Sequence, residues 1–388
     1  MDQVRGSPRF IALIMPYTKN VETLHIRGIW TIGELVQALP DFPQSMPNLR
    51  SLVLACNPEL PDRLEVASAD PLGQPISPLT HLSLWFIPLY PSLRRLTTLT
   101  NLSIHNHPFD LHLDTILDFL EANRALQHVN LNLQLAQPAF QNARRRVGIM
   151  NNLQDLSICS TSAVEINAFI SRIPLQKGAS LEITLFGRSA GLTEVLFGIS
   201  ATHLSSLQSP TSMEYHPDRG EVQLLGPNGS FVFSWSPDRM APFAEFPLLQ
   251  LANIKAFRLV RHALGPVEPH TNVPRITFPP RDLPHLETLA IEREIDVPHI
   301  LSALFVDPST SPSLKTLAFL ECHLDGACME ALAKFASDRQ DTSSAWLYHV
   351  VIVSSGQNLP SFASIDVLGR YVPVVDVRIG STLPADLF

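Results

Sequence analysis

The chain has 388 residues, of which 45% are hydrophobic and only 16% charged, with a formal net charge of −8. That balance excludes general binding to nucleic acid or to an anionic membrane surface. No apolar stretch reaches the about 18 residues that a membrane span needs. The one early apolar run, Phe10–Met15, is too short for a secretory signal. Four cysteines (Cys56, Cys159, Cys322, Cys328) are too sparse for a disulfide scaffold, so a cytoplasmic or nuclear location is expected. The 33 prolines demand many corners, since proline breaks both ladders and helix interiors.

In chain order, the pattern predicts a first strand over Val21–Ile26 and a helix over Thr31–Leu39 that stops before Pro40. Residues 49–57 read Leu49-Arg-Ser-Leu52-Val-Leu54-Ala-Cys-Asn57, the L-x-x-L-x-L-x-x-N core of a leucine-rich repeat. The same phrase returns as Leu79/Leu82/Leu84, Leu99/Leu102/Ile104, Leu126/Val129/Leu131 and Leu153/Leu156/Ile158. Strands are therefore expected at 49–54, 79–84, 99–104, 126–131 and 153–158. Asp114 is expected to cap a helix carrying Ile116, Leu117 and Leu120, and Ser162 one carrying Val164, Ile166, Phe169, Ile170 and Ile173. Leu181–Leu185 alternates as a seventh strand, followed by a short helix over Leu192–Ile199.

The rhythm then changes. Ser212–His216, Glu221–Leu225 and Ser230–Trp235 are strand-like, and the last two flank Gly226-Pro-Asn-Gly229, which suits a tight antiparallel turn. Repeats resume at Ile254/Phe257/Leu259, Leu286/Leu289/Ile291, Leu314/Leu317/Phe319, Leu347/Val350/Ile352 and Val374/Val377/Ile379. Helices are expected over Pro298–Phe305, Asp325–Ala336 and near Phe362–Tyr371. Self-similarity at this period means stacked units, each too small to bury its own apolar edge. The expectation is an α/β leucine-rich-repeat solenoid over 1–388 as one domain. Its curved parallel sheet would line the concave side, helices and loops the convex side, and a β-hairpin insertion would occupy 208–236.

Residues between the repeat leucines project from the sheet on the concave side. In the first half this row is small and polar, with Trp85 and four histidines (His25, His81, His105, His128). An exposed Trp among hydrogen-bonding groups is a hot-spot composition. His81, Trp85, Asn101, His105, His128, Asn130, Asn132 and Asp155 are the candidate partner-binding residues, with a solvated sheet face as the alternative. In the second half the row turns apolar (Thr316, Ala318, Leu320, then His349, Val351, Val353), so a loop of this chain or a partner is expected to cover it.

Other motifs carry less. Gly187-Arg-Ser189-Ala-Gly191 is a G-x-S-x-G after a strand and before a helix, the context of a hydrolase nucleophile. It lacks an upstream oxyanion-hole motif, and its flanking strand alternates rather than running apolar. A serine hydrolase through Ser189 is the alternative reading of the chain. His105-Asn-His107 with His112, and Cys322-His323 with Cys328, are incomplete as metal sites. Arg144-Arg145-Arg146 has no aromatic interleaving and suits a solvated face. No phosphate loop or dinucleotide fingerprint is present, so no catalytic residue, metal or cofactor is expected.

Three longer phrases, Leu39-Pro-Asp-Phe-Pro-Gln-Ser-Met-Pro-Asn-Leu-Arg-Ser-Leu52, Leu113-Asp-Thr-Ile-Leu-Asp-Phe-Leu-Glu-Ala-Asn123 and Leu224-Leu-Gly-Pro-Asn-Gly-Ser-Phe231, resemble the F-box/leucine-rich-repeat family of mushroom-forming fungi. The resemblance runs from about residue 20 to the end. It implies repeats that grip a substrate and an F-box that docks on a cullin-type ubiquitin ligase. An F-box is a helical segment ahead of the repeats, and the residues before Val21 carry no such pattern, so the F-box itself is expected to be missing. The expected function is a non-catalytic protein–protein interaction module that serves as a ubiquitin-ligase substrate adaptor, with ligase subunits among its partners.

Overall fold

The computed structural model describes residues 19–27, 46–55, 78–87, 89, 93, 96–105, 113–133, 148, 150–186, 192–196, 204, 207–235, 251–261, 283–293, 297–305, 311–341, 346–355 and 359–384. The expected helix over Thr31–Leu39 lies outside them. The chain divides into two compact units, Met1–Gly187 with Phe197–Leu204, and Arg188–Leu196 with Ser205–Phe388.

In the first unit the described strands follow one another in chain order, all parallel. They are β1 (Thr23–Arg27), β2 (Ser51–Ala55), β3 (His81–Trp85), β4 (Asn101–His105), β5 (His128–Leu133), β6 (Asp155–Ser160) and β7 (Ser180–Leu185). The second apolar residue of each repeat meets its counterpart in register: Leu52↔Leu82, Leu82↔Leu102, Leu102↔Val129, Val129↔Leu156 and Leu156↔Leu181. All six are buried. Each buried Leu contributes about 1.5–3 kcal/mol, so the spine is a large share of the unit's stability.

The strands begin two residues later than the leucine pattern suggests. The first leucine of each phrase is not in the ladder but in a turn before it. The Leu49, Leu99, Leu126 and Leu153 amides donate to the carbonyls of Met46, Leu96, Asn123 and Met150, three residues back. The leucine side chain is thereby driven into the core. The two amides that follow it both donate to one carbonyl of the preceding unit. Arg50 and Ser51 share Glu22 O, Thr80 and His81 share Arg50 O, Thr100 and Asn101 share Thr80 O, Gln127 and His128 share Thr100 O, and Gln154 and Asp155 share Gln127 O. This clasp satisfies two backbone donors at each of these steps without using a side chain; at β7 only the Ser180 amide reaches back, to Gln154 O.

Two helices of this unit are described, α1 (Leu113–Ala122) between β4 and β5, and α2 (Ala163–Ile170) between β6 and β7. Asp114 is not the cap of α1 but lies within its first turn, since Leu113 is already helical; Ile116, Leu117, Phe119 and Leu120 are buried. Ser162 does cap α2, accepting from the Glu165 amide. Val164 faces solvent rather than the core, because the buried side of α2 is Ala163, Ile166, Phe169 and Ile170.

The second unit holds α3 (Leu192–Leu196), β8 (Ser212–His216), β9 (Glu221–Gly226), β10 (Gly229–Trp235), β11 (Ala256–Val260), β12 (Thr288–Glu292), α4 (Val297–Phe305), β13 (Thr316–Leu320), α5 (Gly326–Asp341), β14 (His349–Ser354), α6 (Phe362–Gly369) and β15 (Val374–Ile379). Its strand order is β10-β9-β8-β11-β12-β13-β14-β15. β9 and β10 form the expected hairpin, with Gly226 opposite Gly229. β8 has two roles, antiparallel to β9 and parallel to β11. Met213 and Tyr215 pair with Phe257 and Leu259 and so occupy spine positions although neither is leucine. The clasp recurs: Lys255 and Ala256 share Thr211 O, Glu287 and Thr288 share Lys255 O, Lys315 and Thr316 share Glu287 O, and Tyr348 and His349 share Lys315 O.

Two expectations are corrected here. The last repeat is not Val374/Val377/Ile379. Val350 pairs with Val375 and Ile352 with Val377, so the phrase is Val372/Val375/Val377, with Val372 buried and Val374 on the opposite face. Five apolar residues within eight positions leave the register ambiguous in sequence. The backbone decides it, since Val374 N donates to Tyr348 O and Pro373 stands where the other clasps have a second amide. The helix begun near Asp325 also runs on to Asp341 and carries the buried Arg339, whose guanidinium donates to Ser311 O, Pro312 O and Leu314 O.

Repeat phrases in register on parallel strands, most of them joined to the next by the same backbone clasp, make this an α/β leucine-rich-repeat solenoid.

Candidate functional site

Because side chains alternate along a strand, every second residue of β1–β7 lies on the face opposite the leucine spine. In-register pairing aligns these into rows. One row runs Thr23, Ser51, His81, Asn101, His128, Asp155, Ser180; the next runs His25, Val53, Ser83, Ser103, Asn130, Ser157, Glu182. All eight anticipated residues lie on this one face. His81, Asn101, His128 and Asp155 share the first row, Asn130 is in the second, and Trp85, His105 and Asn132 stand one step further along their strands.

Adjacent strands let the larger side chains hold one another. Trp85 and His105 are directly opposite and stack at 3.8 Å with a 21° interplanar angle. The Trp85 Nε1–H donates to Ser83 Oγ at 3.0 Å, fixing the indole while leaving 38% of the residue exposed. Burial lowers the His105 pKa from its usual value, favouring the neutral ring. His128 Nδ1 lies 2.6 Å from Asp155 Oδ2, with both side chains about half exposed. Thr80 Oγ1 meets His81 Nδ1 at 2.8 Å, and Thr100 Oγ1 donates to Asn101 Oδ1 at 2.8 Å. The result is a pre-ordered, solvent-facing array of donors and acceptors around one aromatic pair.

The equivalent face of the second unit differs. Arg258 on β11 bridges two carboxylates, Glu214 on β8 (3.2 Å) and Glu292 on β12 (2.6 Å), and His216 Nε2 reaches Glu214 Oε1 at 2.9 Å. Glu292 and His216 are buried. The Glu214 carboxyl is held below its ordinary range, foremost by the hydrogen bond from His216, then by Arg258, with burial opposing. Beyond it Ala290, Ala318, Leu320, Val351 and Val353 form a buried apolar cluster, against which Leu383 of the C-terminal segment packs. The cover expected over this row is thus supplied, at Leu383, by the chain itself. Sequence reasoning missed the ionic bridge; the signal was the same alternation, with Arg258 and Glu292 at face positions of their strands.

Of the other motifs, Gly187–Gly191 with Ser189, Arg144–Arg146, His107, His112 and Cys56 lie outside the described residues. Cys322 is buried with its Sγ 3.2 Å from Ile291 O, and Cys328 is buried in the first turn of α5. Burial, and secondarily Glu182, push the Cys159 thiol up to about 11, which keeps it protonated at neutral pH. Among the described residues no group of three or more His, Cys, Asp or Glu is arranged to hold a metal ion, and no helix is long and apolar enough to cross a membrane.

No family model matches the sequence, and no curated protein matches it. Among solved structures the chain is similar to a leucine-rich-repeat protein of Leptospira interrogans, at 14% identity and TM-score 0.31, covering 94% of this chain and 97% of that one. It is also similar to a structural-genomics protein of Bacteroides fragilis, at 10% identity and TM-score 0.25, covering 92% and 75%. A third is TLR13 in its complex with ssRNA13, at 14% identity and TM-score 0.37, covering 92% of this chain and 46% of that one.

Proposed function

We propose that this chain is a non-catalytic protein-interaction module whose polar strand face in the first unit grips a protein partner. The observation that carries the reading is the half-exposed Trp85, stacked on His105 and tethered to Ser83, amid rows of Asn, His and Ser. An ordered aromatic ringed by hydrogen-bonding groups is the composition in which interface energy concentrates. Protein fits this face better than nucleic acid. Arg27 is the only lysine or arginine among its strand positions, whereas phosphate binding needs many. The finer reading is substrate recognition for a cullin-type ubiquitin ligase, in the cytoplasm or nucleus. Its support is the resemblance of 39–52, 113–123 and 224–231 to the fungal F-box/leucine-rich-repeat family.

Affinity capture from a fungal lysate with wild type and Trp85→Ala side by side tests both levels. The reading expects proteins retained by wild type and lost with Trp85→Ala, and cullin subunits among the wild-type captures for the ligase version. Identical captures from the two proteins would sink it. Labelling of wild type but not Ser189→Ala by a fluorophosphonate would replace it with a hydrolase.

A further inference from the structure

We infer that β15 is a self-complementary edge through which two copies of this chain pair antiparallel, across a twofold axis at Val377. The first observation is the state of the spine. Val350, Ile352, Leu317 and Phe319 on β14 and β13 are buried, yet their in-register successors Val375 and Val377 are only half-buried, and Ile379 is 78% exposed. Alongside, Phe362 of α6 is 91% exposed and Val367 and Val374 are exposed too. A repeat that faces solvent ordinarily turns a polar flank outward; this one, outermost among the described strands, presents an apolar one.

The second observation is the backbone. Val374 N donates to Tyr348 O and Gly380 N to Ser354 O, so the even-numbered residues of β15 bond toward β14. By alternation the N–H and C=O of Val375, Val377 and Ile379 point the other way, and no strand pairs with that side among the described residues. Unpaired ladder groups beside apolar side chains are a template for another strand.

The third observation selects the occupant. The edge reads Val374-Val375-Asp376-Val377-Arg378-Ile379. Placing Val377 opposite Val377 of a second copy makes outward-facing Val375 and Ile379 hydrogen-bonded partners. It also sets Asp376 opposite Arg378 of the second copy, twice, at the close non-hydrogen-bonded positions. Moving the axis to residue 376 or 378 sets like charges opposite each other, and moving it to 375 or 379 leaves both charges without an opposite partner. Within one copy Arg378 Nε already meets Asp376 Oδ2 at 2.7 Å. Pairing therefore assembles four alternating charges rather than desolvating lone ones. A symmetric contact between identical patches closes as a dimer and does not propagate.

Sedimentation of the full chain over a range of concentrations tests this, with Asp376→Arg and Arg378→Asp as separate variants. Wild type is expected to be a concentration-dependent dimer. Each single variant places like charges opposite and is expected to weaken the dimer at least tenfold. The equimolar mixture of the two variants restores opposite charges across the axis and is expected to form a heterodimer, and the double variant Asp376→Arg/Arg378→Asp to form a homodimer. Melting curves of each variant separate loss of pairing from loss of folding, and the double variant carries the test if a single one unfolds. A wild type that stays monomeric up to about 100 μM, or a dimer indifferent to these charges, overturns the proposal.

Discussion

The two units build the same ladder and use its free face in opposite ways. In the first, the face stays open to solvent. Its side chains are fixed by neighbour-to-neighbour pairs such as Trp85 on His105 and His128 on Asp155, each crossing a single strand gap. In the second, the face is closed. Arg258 ties three strands through Glu214 and Glu292, and an aliphatic cluster lies buried under Leu383. A leucine spine and a backbone clasp make the coil, so the opposite face is left open and polar in one place and packed as a second core in another. Substitutions on the spine, on the closed face and on the open face should therefore cost progressively less stability.

The largest effect belongs to the shared element. Leu317→Ala and Leu156→Ala each remove a buried spine side chain and should cost about 2–5 kcal/mol in denaturant unfolding. A much smaller loss at Leu156 than at Leu317 would show that the two spines are not equivalent. Next comes Arg258→Ala, which strands the buried Glu292 carboxylate. Breaking a fully buried pair costs about 3–5 kcal/mol. Arg258 keeps a third of its side chain in water, so about 2–3 kcal/mol is expected.

The same bridge sets an acid limit. Because the folded Glu214 carboxyl titrates below its unfolded value, its contribution is present above the ordinary carboxylate range and is lost as pH falls through the folded value. Stability of the second unit should decline in that acid window, and Glu214→Gln should flatten the decline in a pH series of melts. Trp85→Ala should cost only about 1 kcal/mol of stability, mostly its stacking on His105, while abolishing partner capture. His128→Ala, breaking an exposed pair, should cost under about 1 kcal/mol. A large melting shift in either open-face variant would mean that this face, too, is structural.

Much of the coil was legible because leucines at fixed offsets have one physical use, and the in-register pairs Leu102↔Val129 and Leu156↔Leu181 follow directly from them. Residues on the polar face were legible for the same reason, since alternation leaves them one side. What was not legible depended on partners remote in sequence. Met213 and Tyr215 do not look like a repeat until β11 lies beside them. Arg339 reads as a residue beyond the helix until the carbonyls of Ser311, Pro312 and Leu314 are found around it. The Arg258 bridge joins residues 44 and 34 positions apart. The last repeat was misaligned because Val375, Val377 and Ile379 share one face, so the leucine frame fits equally well two residues along, and only the pairing with β14 decides it.

The carbonyl shared by two amides at most steps has one more consequence. A junction made wholly of main-chain atoms is blind to the identity of the side chains it carries, proline excepted. Face residues such as His81, Asn101 or Asp155 can be exchanged without altering the pitch of the coil. Connector lengths can also change between one carbonyl and the next without moving the strands they join. The polar face of such a molecule can change quickly in sequence while its architecture stays put.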